Sequence, residues 1–175
     1  LKAVERKGLR PSSGRVKSAI FSILEAIEWK RSGQPDFSRW RCLDLFAGVG
    51  GLGLEALSRG AAHCVFVEKD RLHAKILQEN IKTLGCEAFT RLLVEPLEKG
   101  TWEALGPFDL ILLDPPYANS QLTELLEKIA KNGVLGEGGI LLFEHDPKIE
   151  IGEITGLKLH SHRKLGPAGI TVYLR

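Results

Sequence analysis

Asp44-Leu45-Phe46-Ala47-Gly48-Val49-Gly50-Gly51-Leu52-Gly53 begins inside a short apolar run, Cys42 to Phe46, and leads into a helical pattern stopped by Gly60. The stretch therefore reads as the turn between a buried strand and a helix from Gly51 to Ser58. Glycine lets such a turn reach positive φ and lets a ligand approach without a Cβ in the way. The helix start beyond it offers unpaired N–H groups to an anion. Gly48, Gly50 and Gly53 satisfy GxGxxG, which tight strand–helix packing produces as readily as ligand binding does.

Two acids sharpen the reading. Glu68 ends the next apolar run, His63 to Glu68, twenty residues after Gly48. An acid at that place accepts hydrogen bonds from the ribose hydroxyls of a nucleoside cofactor. Asp44 lies inside an apolar strand, where an unpartnered carboxylate is expensive. A cofactor ammonium group would partner it; the alternative is a cap on the loop's own N–H groups. NAD(P) and S-adenosylmethionine fit these features equally.

Outward from the loop the pattern alternates. Val16, Ile20, Ile23, Leu24 and Ile27 predict an amphipathic helix over about 13–28, followed by a connecting loop from Arg31 to Arg41. Asp70 caps a helix with Leu72, Ile76, Leu77, Ile81 and Leu84 on one face. Strands are predicted at Ala88 to Val94, Phe108 to Asp114 and Gly139 to Glu144, with a helix from Ser120 to Lys131. This βαβα order predicts an α/β fold, a mostly parallel sheet with helices on both faces. Leu157 to Leu165 and Ile170 to Leu174 are separated only by Gly166 to Gly169, too short for a helical crossover. They predict an antiparallel C-terminal hairpin. Residues 1–41 read as a basic N-terminal segment and helix packing on the core, and 42–175 as that core, one domain in all.

Composition narrows the classes. Among 175 residues, 43% are hydrophobic and 26% charged, as in an ordinary globular domain. No apolar run is long enough to span a bilayer and no stretch reads as a signal peptide. Cys42, Cys64 and Cys86 are odd in number and lack CxxC spacing, so neither a disulfide framework nor a zinc site is expected, and no metal. A reducing, cytoplasmic home follows, with no membrane partner. The net charge of +2 conceals segregation. Residues 1–41 carry ten Lys/Arg and four Asp/Glu, +6; residues 42–155 carry ten and eighteen, −8; residues 156–175 carry four and none, +4. Such asymmetry marks a nucleic-acid surface better than the sum does, and predicts an RNA-facing rim built from both ends of the chain.

Asp114-Pro115-Pro116-Tyr117 ends the fourth predicted strand. In an open α/β sheet, strand carboxyl ends line the ligand crevice. Two prolines fix φ and remove N–H donors, so carbonyls face the crevice in a stiff arrangement. Asp114 and the Pro115 carbonyl then both accept from one exocyclic amino group, while Tyr117 offers a flat face to an extruded base. An aromatic amine is a poor nucleophile because its lone pair is delocalised. Two acceptors gripping its hydrogens favour the pyramidal geometry that frees the pair to attack a sulfonium methyl, so catalysis is positioning and electrostatics.

Asp-Pro-Pro-Tyr resembles the catalytic motif of amino-group methyltransferases that use S-adenosylmethionine. The terminal hairpin is similar to that of the Rossmann-like class I methyltransferases, whose seven-stranded sheet has one antiparallel strand. Leu9-Arg10-Pro11-Ser12, Arg15-Val16-Lys17, Phe21, Leu43 to Gly48, Leu52 to Ala61 and Asp114 to Tyr117 together resemble the bacterial 16S rRNA guanine-N2 methyltransferase family, RsmD. Ser12 and Val49 depart from it, where the family usually has threonine and often has serine. The resemblance implies methyl transfer from S-adenosylmethionine to a guanine N2 amine, on 16S rRNA or the 30S particle, by a monomer, leaving S-adenosylhomocysteine. It implies cofactor contacts at Asp44, Phe46, Ala47, Gly48, Gly50, Gly53, Glu68 and Asp114, and base contacts at Asp114, Pro115, Pro116 and Tyr117. Arg10, Arg15 and Lys17 are implied on the RNA side. The segment around Glu95 is implied near the adenine.

Arg163, Lys164 and Arg175 suit either phosphate contact or a solvated edge. His160 and His162, an i, i+2 pair, read as one strand face near RNA, and Glu144-His145-Asp146 as a solvated strand end. Cys42 and Cys64 read as core residues on neighbouring strands. Three other functions compete: adenine-N6 or protein glutamine methylation with the same cofactor, NAD(P)-dependent oxidoreduction, and a non-catalytic RNA-binding module. The oxidoreductase lacks a proton-transfer pair and leaves Asp-Pro-Pro-Tyr unexplained, and intact Asp114 and Tyr117 argue against the inert module.

Overall fold

The computed structural model describes residues 14–115, 119–149 and 151–175. Arg10, Pro116 and Tyr117 lie outside the described residues. Helix α1, Gly14–Ser32, is followed by strand β1 (Arg41–Leu45), α2 (Gly53–Ser58), β2 (His63–Val67), α3 (Arg71–Leu84) and β3 (Thr90–Leu93). Then come β4 (Phe108–Leu113), α4 (Asn119–Lys131), β5 (Leu135–His145), β6 (Lys158–Leu165) and β7 (Ala168–Leu174).

The seven strands form one sheet in the order β3-β2-β1-β4-β5-β7-β6. Strands β1 to β5 pair in parallel, while β7 runs antiparallel to both β5 and β6. The expected α/β sheet and terminal hairpin are both present. It is β7, the last strand in sequence, that pairs with β5, which leaves β6 at the edge. Winding leaves β1 towards β3 on one side and towards β4 on the other. The carboxyl ends of β1 and β4 therefore border the switch point, where such sheets bind ligands.

Each sheet face buries a separate apolar layer. Ile20, Leu24 and Ile27 of α1 pack with Leu54 of α2, Leu77 and Ile81 of α3, and Cys42, Leu110 and Leu142 of the strands. The other layer joins Leu43, Ile111 and Leu141 to Leu122, Leu126 and Ile129 of α4. Cys42 is level with Cys64, both are free thiols, and both are buried as expected.

Several boundaries differ from expectation. Helix α1 continues to Ser32, because Gly33, at φ 79°, supplies the left-handed terminator that returns its N–H to Trp29 O at 2.9 Å. The following loop carries core: Phe37 and Trp40 are buried with ring centroids 4.5 Å apart. Asp70 caps α3 as expected, accepting from the Leu72 and His73 N–H groups. The buried face of α3, however, is Ala74, Leu77, Asn80 and Ile81, with Leu72 and Leu84 exposed at its ends. No helix among the described residues is long and apolar enough to cross a membrane.

Candidate active site at the glycine loop

Four carboxylates stand at the carboxyl edge of β1, β2, β4 and β5. Asp44 is 2% exposed, and one of its oxygens accepts the Gly53 N–H at 2.8 Å. The capping alternative is thus what this residue does for the loop. Helix α2 begins at Gly53, later than expected, and its first N–H is spent on Asp44. Burial raises the Asp44 carboxyl to about 7; the Gly53 N–H opposes the shift, and the charges of Asp114 and Glu68 add to it.

Glu68 is 8% exposed just beyond β2. Its Oε2 accepts the Gly48 N–H at 2.7 Å and its Oε1 the Asp70 N–H at 2.7 Å. One side chain thereby ties the glycine loop to the start of α3. A carboxylate has about four lone-pair sites, so two remain for hydroxyl donors. The Glu95 N–H bonds to the Glu68 carbonyl at 3.1 Å, which puts Glu95 beside this site. The Glu95 side chain itself is held by Thr101 and by Lys99 at 3.0 Å.

The three glycines of the motif separate into two kinds. A Cβ on Gly50 would lie 2.3 Å from Leu77 Cδ1, and one on Gly53 would lie 2.4 Å from Phe66 Cε1 and 2.7 Å from Cys64 Sγ. Both positions serve close packing. Gly48, at φ 55°, has nothing nearer than 4.0 Å to such an atom, so the open side of the loop is there. Phe46, at φ 61°, is the single described non-glycine residue with positive φ. Strained backbone of this kind costs about 1–3 kcal/mol and is held only where surroundings enforce it, commonly at functional sites.

Asn80 was not legible as part of the site. Its side chain, 2% exposed on the apolar face of α3, donates to the Val49 carbonyl at 3.0 Å and so holds the loop from behind. A signal existed: an amide at a core-facing position between Leu77 and Ile81 requires a buried partner.

Leu113 of β4 is level with Leu45 of β1 and with Phe143 of β5. Asp114 therefore follows the end of β4 next to Glu144 and within the field of Asp44. It stays accessible at the cleft mouth. The protein crowded behind it and the Glu144 charge raise its carboxyl to about 7. Pro115 is half-buried beside it.

The remaining candidates divide. Arg15 and Lys17 lie on the first turns of α1. Arg163 and Lys164 pair with Ile170 and Gly169, which are level with Glu144 and His145. They stand at the crevice end of the sheet but three strands from β4, about 14 Å. His145 is buried, not solvated: its Nδ1 meets the Asp146 carbonyl and its Nε2 the Thr171 hydroxyl, each at 2.8 Å. His162 Nδ1 shares that hydroxyl at 2.8 Å. A bulge between Leu159 and Ser161 makes His160 an extra residue, so the two histidines do not share a face. Among the described residues no group of three His, Cys, Asp or Glu is placed to hold a metal ion.

Comparison with known proteins settles the lineage. A family model described as "Conserved hypothetical protein 95" matches residues 1–174. The chain is 36% identical to YlbH of Bacillus subtilis, over 99% of this chain and 91% of that protein. It is 30% identical to ribosomal RNA small subunit methyltransferase D of Escherichia coli, over 96% of this chain and 80% of that protein.

The chain belongs to the ribosomal RNA small subunit methyltransferase D family.

Its fold is that of the class I methyltransferases. A Salinibacter ruber RNA methyltransferase, solved in complex with S-adenosyl-L-homocysteine, superimposes with a TM-score of 0.72 at 14% identity, over 94% of this chain and 93% of that one.

Proposed function

We propose that this protein is an S-adenosylmethionine-dependent rRNA methyltransferase that modifies the exocyclic N2 amine of a guanine in 16S rRNA. The observation that carries the reading is the meeting of two motifs far apart in sequence: Asp114 at the end of β4 lies within the field of Asp44, whose carboxylate holds the glycine loop. The residues suit the cofactor's chemistry. Asp44, Glu68, Asp114 and Glu144 crowd negative charge at one sheet edge, which a bound cation relieves. S-adenosylmethionine, when bound, supplies a methyl group on a positively charged sulfur.

The protein's own residues then bind and orient. Glu68 retains two acceptor sites for ribose hydroxyls, and the open side of Gly48 admits the ligand next to the backbone. Phe46 and Ala47 line the same turn. Asp114 and the Pro115 carbonyl grip the hydrogens of the target amine, which sharpens its lone pair, and Tyr117 stacks on the extruded base. Pro116 stiffens the turn between them. Arg10, Arg15 and Lys17, with Arg163 and Lys164, meet phosphates around the crevice. The protein acts as a monomer in the cytoplasm, on rRNA or the 30S particle, with segment 1–41 and core 42–175 working as one unit.

The test is tritiated methyl transfer from S-adenosylmethionine to 30S particles, or to rRNA from a strain that lacks the enzyme. Mass spectrometry of the nucleosides should give N2-methylguanine; N6-methyladenine would move the target to adenine. Asp114→Ala should abolish transfer while binding of S-adenosylhomocysteine persists. Absence of transfer to any such RNA would remove the proposal.

A further inference from the structure

We infer that edge strand β6 and the last turn of α1 form a second phosphate-binding surface, along which the RNA substrate runs from the crevice rim down the side of the sheet. The inference rests on the RNA-methyltransferase reading for its partner, and on charge and topology for its place.

Strand β6 reads Lys-Leu-His-Ser-His-Arg-Lys-Leu: three cations, two histidines and no acid. Lys158, His160, Arg163 and Lys164 are all exposed. The strand runs parallel to β5, because both pair antiparallel to β7. Lys158 is consequently at the foot of the sheet, level with Leu174 and Ile140, and Lys164 at its crevice end. Lys158 and Arg163 share the α1 face, level with Leu174 and Ile170, and the four ladder steps between them at about 3.4 Å make the stripe about 14 Å long, with Lys164 on the opposite face at its end. Helix α1 ends at the same foot, since a short loop carries Ser32 to the start of β1. Its last turn presents Lys30 and Arg31.

The cations that end α1 and those of β6 act on one residue, His160. Burial lowers the pKa of this bulged residue, and so do the charges of Lys30, Arg31, Arg163 and Lys158, in that order. Among the described residues Lys30, Lys158, Arg163 and Lys164 have no ion-pair partner. Cations on β6 alone would serve to guard a sheet edge, and cations ending α1 alone would suit its dipole. Neither reason brings both sets around one imidazole, where Arg31, paired with Glu28 at 3.5 Å, is the one cation of the group that meets a carboxylate among the described residues. Unrelieved like charge is costly in the free protein, and a polyanion relieves it. A strand of RNA carries a phosphate at every nucleotide and so meets such cations in succession.

The salt dependence of binding tests this. The probe is a 16S rRNA transcript, titrated by fluorescence anisotropy from about 50 to 200 mM KCl, the range over which phosphate contacts are lost. The proteins are the wild type, Lys158→Gln, and the triple variant Lys30→Gln/Arg31→Gln/Lys158→Gln. Each phosphate contact contributes about 0.7 to the slope of log K against log salt on single strands. The slope should fall by about 0.7 in the single variant and about 2 in the triple, with melting and S-adenosylhomocysteine binding unchanged. A wild-type slope in both variants overturns the surface even if rRNA is methylated. Lost slope with no methyl transfer by the wild type keeps the surface and removes the catalytic reading. Capture of the wild type by phosphatidylserine vesicles, with the transcript slope unchanged in the variants, would assign the patch to lipid and overturn the proposal.

Discussion

Glu68 accepts the Gly48 N–H at 2.7 Å across twenty residues of chain, and the same carboxylate takes the Asp70 N–H that opens α3. Loop, strand end and helix start are thereby one hydrogen-bonded unit. Glu68→Ala leaves two backbone donors without an acceptor, a loss of about 1–3 kcal/mol each where water cannot replace it. Urea melts should show lower stability, and calorimetry should show S-adenosylhomocysteine binding weakened at least tenfold. Glu68→Gln, which keeps one acceptor oxygen, should fall between.

Asn80 supports the loop from the opposite side through the Val49 carbonyl at 3.0 Å. Asn80→Ala should cost about 1–3 kcal/mol, because a buried carbonyl loses its donor. Asn80→Asp should cost more, since a carboxylate facing a carbonyl repels it. In both, the rise in cofactor Kd should exceed any change in the KM for RNA.

The glycines make opposite predictions. Gly53→Ala drives a methyl group to 2.4 Å from Phe66 and should destabilise by about 1–3 kcal/mol. Shortening the obstacle with Phe66→Leu should recover part of that loss in a double-mutant cycle. Gly51→Ala meets nothing within 4 Å and should leave the melting temperature unchanged.

The raised carboxyls set a pH dependence. Asp44 and Asp114 sit at about 7 against an ordinary 3.8. Between those values the folded protein holds protons that the unfolded chain releases, so stability falls as pH rises through this window and levels off above it. Asp44→Asn should flatten the decline in urea melts recorded from pH 5 to pH 8. Binding of cationic S-adenosylmethionine should strengthen over the same range as the carboxylates ionise, with a smaller gain in Asp114→Asn.

Much of this was legible in the chain itself. Alternation of short apolar runs with helical periodicity specified the mostly parallel sheet, and four residues after Leu165 specified the hairpin. Spacing alone singled out Asp44, Gly48 and Glu68, because strand ends and the turns after them are local features. Partners distant in sequence were a different matter. That Gly50 and Gly53 pack while Gly48 stays open depends on Leu77 and Phe66, which arrive from other elements. The burial of His145 depends on Thr171 in β7, and the separation of His160 from His162 on a bulge that periodicity does not reveal.

The amino-acid sequence by itself determined the kinds of element, their order and the chemistry at the strand ends, since these follow from side-chain periodicity and local backbone preference. Only the tertiary structure decided that β7 rather than β6 joins β5, and that His160 of β6 feels the charges of Lys30 and Arg31 at the end of α1. The physical reason is that pairing order and charge proximity are set by which faces must be buried together, a property of the whole sheet and of no single segment.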